Sequence, residues 1–191
     1  MDRRTLLLLH GTGGNEESLV PFGRALAPGA GLLAVRGKVL ERGMPRFFRR
    51  IAEGVFDEAD LVARTHELAD FLERASGRYG FPLGATTAVG FSNGANIAGG
   101  LLLLHPGLIR SAMLYRAMVP FEPQDRPDLR GTRVLLSEGR FDPLIPAANA
   151  TRLGQILEQR GATVTLDWIE AGHHLTPEEA GTGAAWFQAL P

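Results

Sequence analysis

The 191-residue sequence contains no cysteine. That excludes disulfides, cysteine-ligated zinc and a thiol nucleophile, and it fits a cytoplasmic protein. It has no long hydrophobic run. No apolar stretch approaches the roughly 18 residues that a membrane span needs. The opening "MDRRTLLLLHGTGG" offers two arginines and then only four leucines, too few for a signal-peptide apolar region. Charge of one sign is also lacking. Lys and Arg number 20 against 21 Asp and Glu, a formal net charge of -1, so nothing global favours nucleic acid. The five histidines show no paired ligand spacing, which argues against a metal. Internal repeats and low-complexity linkers are absent, and "PFEPQDRPDLRG" reads as a loop. The length then predicts one domain over residues 1–191.

Short apolar strands alternating with longer amphipathic segments are what the sequence does have. "TLLLLH", "GLLAVRG", "ATTAVGF", "SAMLYRAM", "TRVLLSEG" and "ATVTLDWIE" read as strands. Their near-continuous apolarity is the pattern of strands covered on both faces. Between them lie helices. The clearest is "DEADLVARTHELADFLERASGRYG", where Leu61, Val62, Thr65, Leu68, Ala69 and Leu72 keep a 3.6-residue period. Asp57 is its cap, and Gly77 or Gly80 its stop. Thr176, Pro177 and Glu179 form a T-x-x-E capping box for the last helix. This alternation predicts an α/β fold, a mostly parallel sheet of about six to seven strands with helices on both faces.

Ligand sites in such sheets lie at the carboxyl ends of the strands. Those ends carry "HGTGGN", "GFSNG", "EGRFDPLIP" and "EAGHHLTP". Gly90-Phe91-Ser92-Asn93-Gly94 matches G-x-S-x-G, placed between a strand and a helix. In that setting a tight turn lifts a serine hydroxyl above the sheet edge. A serine is a poor nucleophile until a base takes its proton. A histidine after the last strand supplies the base, and Asp142 would orient it. The order Ser, Asp, His is that of alpha/beta-hydrolases. Oxyanion donors would be the backbone amides of Asn93 and Thr12. Position alone separates His173 poorly from its neighbour His174. Asp142 also precedes Pro143 and could be only a turn former. His10 reads as a structural residue closing the first strand.

"LLLLHGTGGNEESL", "GFSNGANIA", "EGRFDPLIP" and "AGHHLTPEE" together resemble the carboxylesterase/phospholipase group of small alpha/beta-hydrolases. That group includes acyl-protein thioesterase-like enzymes and bacterial esterases related to dienelactone hydrolases. "RGKVLERGMPRFF" and "EGVFDEADL" resemble a bacterial small-esterase subgroup. The resemblance implies an alpha/beta-hydrolase fold lacking the first two strands of the full sheet. It also implies no large lid domain, no metal and no organic cofactor. It selects His173 over His174, since the family's base follows a glycine directly. Dienelactone hydrolases use a cysteine where this chain has Ser92, and typical thioesterase members carry Gln where it has Asn93. The first departure argues against dienelactone hydrolase activity and the second against protein depalmitoylation. Relatives often pair, so a homodimer is the assembly implied, although no exposed apolar stripe marks an interface.

The expected activity is therefore that of a serine carboxylesterase on small to medium esters, through Ser92, His173 and Asp142. Its expected partner is a small-molecule ester, without nucleic acid or membrane span. A thioesterase or lysophospholipase on the same triad, or a non-catalytic hydrolase-like binding protein, are the alternatives. For the pocket, Met44, Phe47 and Phe48, with Phe56, could line an acyl or aryl cleft or merely anchor a long loop. Residues 36–50 carry six basic residues against Glu41, and residues 53–73 carry seven acidic residues against Arg64. These segments read as balancing each other on the surface. Arg46, Arg49 and Arg50 read as a solvated face, with attraction of an anionic ester as the alternative.

Overall fold

A computed structural model describes residues 4–191. Met1 to Arg3, the start of the opening stretch "MDRRTLLLLHGTGG", lie outside the described residues. In chain order the elements begin with β1 (Thr5–Leu9), α1 (Val20–Leu26) and β2 (Gly31–Val35). Four short strands follow: β3 (Val39–Glu41), β4 (Met44–Arg46), β5 (Arg50–Ala52) and β6 (Val55–Phe56). Then come α2 (Glu58–Tyr79), β7 (Thr86–Phe91), α3 (Asn93–Leu104), β8 (Ser111–Tyr115) and β9 (Arg133–Gly139). The chain closes with α4 (Ala147–Glu158), β10 (Thr163–Ile169) and α5 (Pro177–Gln188).

Six strands form one parallel sheet in the order β10-β9-β8-β7-β1-β2. The four leucines of β1 show why the run needs no alternation in sequence. Leu7 and Leu9 enter one apolar cluster with residues of α2, α3 and α4, while Leu6 and Leu8 enter another with residues of α1 and α5. A strand's side chains alternate faces, so an unbroken apolar run is what two helical layers require. From β1 the chain passes to β2 on one side and later returns to β7 on the other. The gap between β1 and β7 is thus a topological switch point, where crevices form above the strand ends.

Local signals set the helix ends. Asp57 caps α2 by accepting from the Asp60 amide, and Gly80 ends it in the left-handed conformation at φ 71°. The Thr176–Glu179 capping box opens α5. The α1 helix starts at Val20, with residues 16–19 forming turns ahead of Pro21. The basic segment after β2 and the residues that follow it, an insertion between β2 and α2, form two antiparallel hairpins, β3–β4 and β5–β6, outside the main sheet. Turn glycines at positive φ, Gly43 and Gly54, make those reversals possible.

The balance between the basic insertion and the acidic helix α2 is pairwise. Arg49 meets Asp57 at 3.1 Å and Lys38 meets Glu67 at 3.5 Å. The Arg49 amide donates to the Asp60 carboxylate at 2.8 Å. These contacts fasten the hairpins to α2.

Candidate active site

The turn after β7 places Ser92 at φ 51° and ψ -115°, a conformation that costs a non-glycine residue about 1–3 kcal/mol. Its surroundings force it. The helix α3 starts at once and runs hard against β1. A Cβ on Gly94 would lie 2.0 Å from the Leu9 carbonyl oxygen, and one on Gly90 would lie 2.6 Å from the Ala95 backbone. Glycine at both positions is the condition for that approach. The Ser92 amide donates to the Tyr115 carbonyl at 2.9 Å, and the Asn96 amide donates to the Ser92 carbonyl at 3.0 Å.

Ser92, His173 and Asp142 come together across three loops. His173 Nε2 stands 2.9 Å from Ser92 Oγ, and His173 Nδ1 stands 2.7 Å from Asp142 Oδ2. The Asp142 side chain is only 1% exposed. Its other oxygen accepts the amides of Leu144 at 2.8 Å and Ile145 at 3.2 Å. An ionised carboxylate can only accept, so Nδ1 carries the proton and Nε2 is free to accept from the serine. Phe91 packs on the His173 ring, centroids 5.4 Å apart. His174 is not part of this chain of contacts. Its carbonyl instead accepts from Arg116.

Thr12 and Asn93 flank Ser92 and line the same cavity of about 290 Å³. Asn93 is the first residue of α3, so its amide has no intrahelical acceptor. The Asn93 side-chain oxygen accepts from the Phe47 amide at 2.7 Å. Phe56 lines the cavity, with Phe91, Met118, Leu144 and Ile145. Met44, Phe47 and Phe48 do not line it. Phe47 and Phe48 are buried in the core cluster, and Met44 is 39% exposed. These two aromatic side chains, on the segment between the two hairpins, point into the core and anchor the insertion there. Arg46 is not on a solvated face either. It is 3% exposed, donates to Thr12 Oγ1 at 2.7 Å and to the Phe48 carbonyl at 3.1 Å.

His10 is buried, and its neutral form is set by its partners. Gly37 N–H donates to Nε2 at 3.0 Å, so Nδ1 must hold the proton it gives to the Gly11 carbonyl at 2.6 Å. Burial lowers its pKa further from the ordinary histidine value. Its role is to tie the loop after β1 to the chain after β2.

Two buried charges went unread in the sequence. Arg116, 0% exposed and at φ 57°, follows β8 directly. Its guanidinium donates to Glu179 at 2.6 and 3.1 Å, and to the Ser137 carbonyl at 3.0 Å. It also donates to the carbonyls of Gly172 at 2.9 Å and His174 at 2.5 Å. These two carbonyls bracket His173, so Arg116 holds the segment that carries the imidazole. Glu138, the penultimate residue of β9, is equally buried. One of its oxygens accepts the Ala117 amide at 2.8 Å, and the other has no partner among the described residues. Burial pushes its pKa up to about 8, against the Ala117 hydrogen bond and the Arg116 charge. The signal for both was a lone charged residue inside an apolar run, "MLYRAM" and "VLLSEG".

Each yields a test. Unfolding exposes Glu138, whose pKa falls from about 8 toward 4.5. Between those values the folded chain keeps a proton that unfolding releases, so rising pH favours unfolding. Glu138→Gln removes that slope. The thermal midpoint of the variant should climb relative to the parent as pH rises from about 5 to about 8. A difference that stays flat with pH would refute the buried neutral acid. Arg116→Met leaves Glu179 buried without a counter-charge, and should lower the unfolding free energy by about 3–5 kcal/mol in a urea titration. A loss below about 1 kcal/mol would mean the pair is not buried as described.

Comparison with known proteins identifies the fold and the family. No family model matches the chain. Over 183 residues it is 47% identical to MhqD of Bacillus subtilis (strain 168), named a hydrolase, covering 96% of this chain and 92% of that protein. The Bacillus cereus carboxylesterase structure superposes with a TM-score of 0.96 at 44% identity, covering 98% of this chain and 89% of the other. The carboxylesterase from Mesorhizobium loti gives 0.95 at 35% identity, covering 99% and 90%. With the parallel sheet and the turn at its switch point, these likenesses lead to one conclusion: the chain belongs to the carboxylesterase family of alpha/beta-hydrolases, a family of ester-hydrolysing enzymes.

Proposed function

We propose that the chain is a serine carboxylesterase acting on small to medium carboxylic esters through Ser92, His173 and Asp142 and an acyl-enzyme. The observation that carries this is the continuous path from Ser92 Oγ to His173 at 2.9 Å and on to Asp142 at 2.7 Å. His173 Nε2 takes the serine proton as Oγ attacks the ester carbonyl. Asp142 holds the imidazole in the required tautomer and stabilises the imidazolium. The backbone amides of Thr12 and Asn93 would face the developing oxyanion, with the positive end of α3 behind Asn93. The imidazolium then returns its proton to the departing alcohol. Water, deprotonated by the same imidazole, attacks the acyl-enzyme; the imidazolium passes that proton to Ser92 Oγ as the acyl–oxygen bond breaks and the acid leaves. The cavity of about 290 Å³ supports an acyl group of modest length.

A fluorophosphonate probe tests the nucleophile. The native protein should be labelled and Ser92→Ala should not, with the rate on an aryl acetate falling on the order of 10⁴-fold or more. Equal labelling of the two proteins would refute the serine mechanism. On a series of aryl esters with growing acyl chains, kcat/KM should peak at short to medium length. A steady rise toward long chains would refute the substrate size.

A further inference from the structure

The cavity beside Ser92 is rich in hydrogen-bond donors and poor in acceptors. Asn93 and Asn96 both line it and both are buried. Each uses its side-chain oxygen on a backbone amide, from Phe47 at 2.7 Å and from Met118 at 2.8 Å. A backbone N–H can bond only the oxygen, so the orientation of both amides is fixed. Their NH₂ groups are left without a partner among the described residues, that of Asn93 in full burial. An unpaired buried donor is costly, and a ligand that accepts from it recovers that cost.

Charge adds to this. Three of the six basic residues of the insertion are matched by acids elsewhere. Arg36 pairs with Glu16 at 2.8 Å, Lys38 with Glu67 at 3.5 Å and Arg49 with Asp57 at 3.1 Å. Arg46 and Arg50, both lining the cavity, have to share Glu41, at 3.3 and 2.8 Å. Two guanidinium groups on one carboxylate leave a positive charge over. Arg46 Nη2 and Arg50 Nη1 have no protein acceptor among the described residues. Arg116 also borders the cavity, but its guanidinium is spent on Glu179 and three carbonyls. The one carboxylate among the lining side chains is that of Glu53, which is exposed.

We propose that this cavity selects esters bearing a free carboxylate, such as half-esters of short dicarboxylic acids, held by Arg46 and Arg50 with the amide groups of Asn93 and Asn96. A planar carboxylate accepts from several donors at once and matches a guanidinium edge. This selectivity rests on the Ser92 esterase reading and deepens it. Arg46 also braces Thr12, so Arg50 and Glu53 are the positions to vary.

The experiment compares kcat/KM for monomethyl adipate and methyl hexanoate, with aryl acetate hydrolysis and fluorophosphonate labelling run on the same preparations. The parent should prefer the half-ester by about tenfold at low ionic strength, and added salt should shrink that preference. Arg50→Gln should bring the ratio toward one. Glu53→Gln, which removes the opposing carboxylate, should raise it. A parent ratio at or below one, with aryl acetate still hydrolysed and Ser92 still labelled, would overturn the carboxylate selectivity and leave the esterase reading standing. A ratio untouched by both substitutions would overturn it as well. Loss of labelling and of all ester hydrolysis in the parent would sink both readings together.

Discussion

Everything at the site depends on how closely α3 approaches β1. The space where a Gly94 Cβ would sit is filled by the Leu9 carbonyl, so helix and strand backbones touch. That contact leaves the chain no relaxed route from β7 into the helix, and Ser92 takes up the strained turn at φ 51°. The strain is held by ordinary structure on either side, the β8 carbonyl that receives the Ser92 amide and the first turn of α3. The parallel sheet thus acts as a frame. Because the turn sits at the switch point between β1 and β7, the loop after β1 is within reach of the serine.

The second support is electrostatic and lies on the histidine side. Arg116 and Glu179 are fully buried, and neither is left short of partners. Glu179 accepts from Arg116, Ser137, Thr176 and the Thr176 amide, joining the cap of α5 to the end of β8. Isolated buried ion pairs often fail to repay their desolvation, so stability alone is a weak reason for this one. Its geometry gives a better reason. The guanidinium fixes the carbonyls before and after His173, on a loop that has no strand or helix of its own.

Much of this was legible in the sequence. The strand–helix alternation, the G-x-S-x-G turn and the Thr176 capping box are local patterns, and each has a physical cause that acts over a few residues. The structure brings Ser92, Asp142 and His173 together as the strand order implied. What stayed hidden was long-range. Nothing in "RGKVLERGMPRFFRR" says that Phe47 and Phe48 turn into the core while Arg46 is buried beside the cavity. That outcome depends on packing against residues distant in sequence, Thr12 for Arg46 and the core cluster for Phe47 and Phe48. Arg116 and Glu138 were hidden for a related reason. Their partners lie 63 and 21 residues away in sequence, beyond any periodicity argument.

The insertion has one further consequence. The first hairpin and the segment after it are leashed to both loops that flank the serine. Pro45 accepts from the Gly13 amide at 2.9 Å, Arg46 grips Thr12, and the Phe47 amide is bonded to Asn93. A molecule that settled against this hairpin would touch the same hydrogen bonds that hold Thr12 and Asn93, the two residues proposed to receive the oxyanion. On the proposed mechanism, recognition of the distant part of a substrate and alignment of its reacting carbonyl would share one set of hydrogen bonds. In such an arrangement, affinity gained far from the scissile bond can be expressed as rate rather than as tighter ground-state binding.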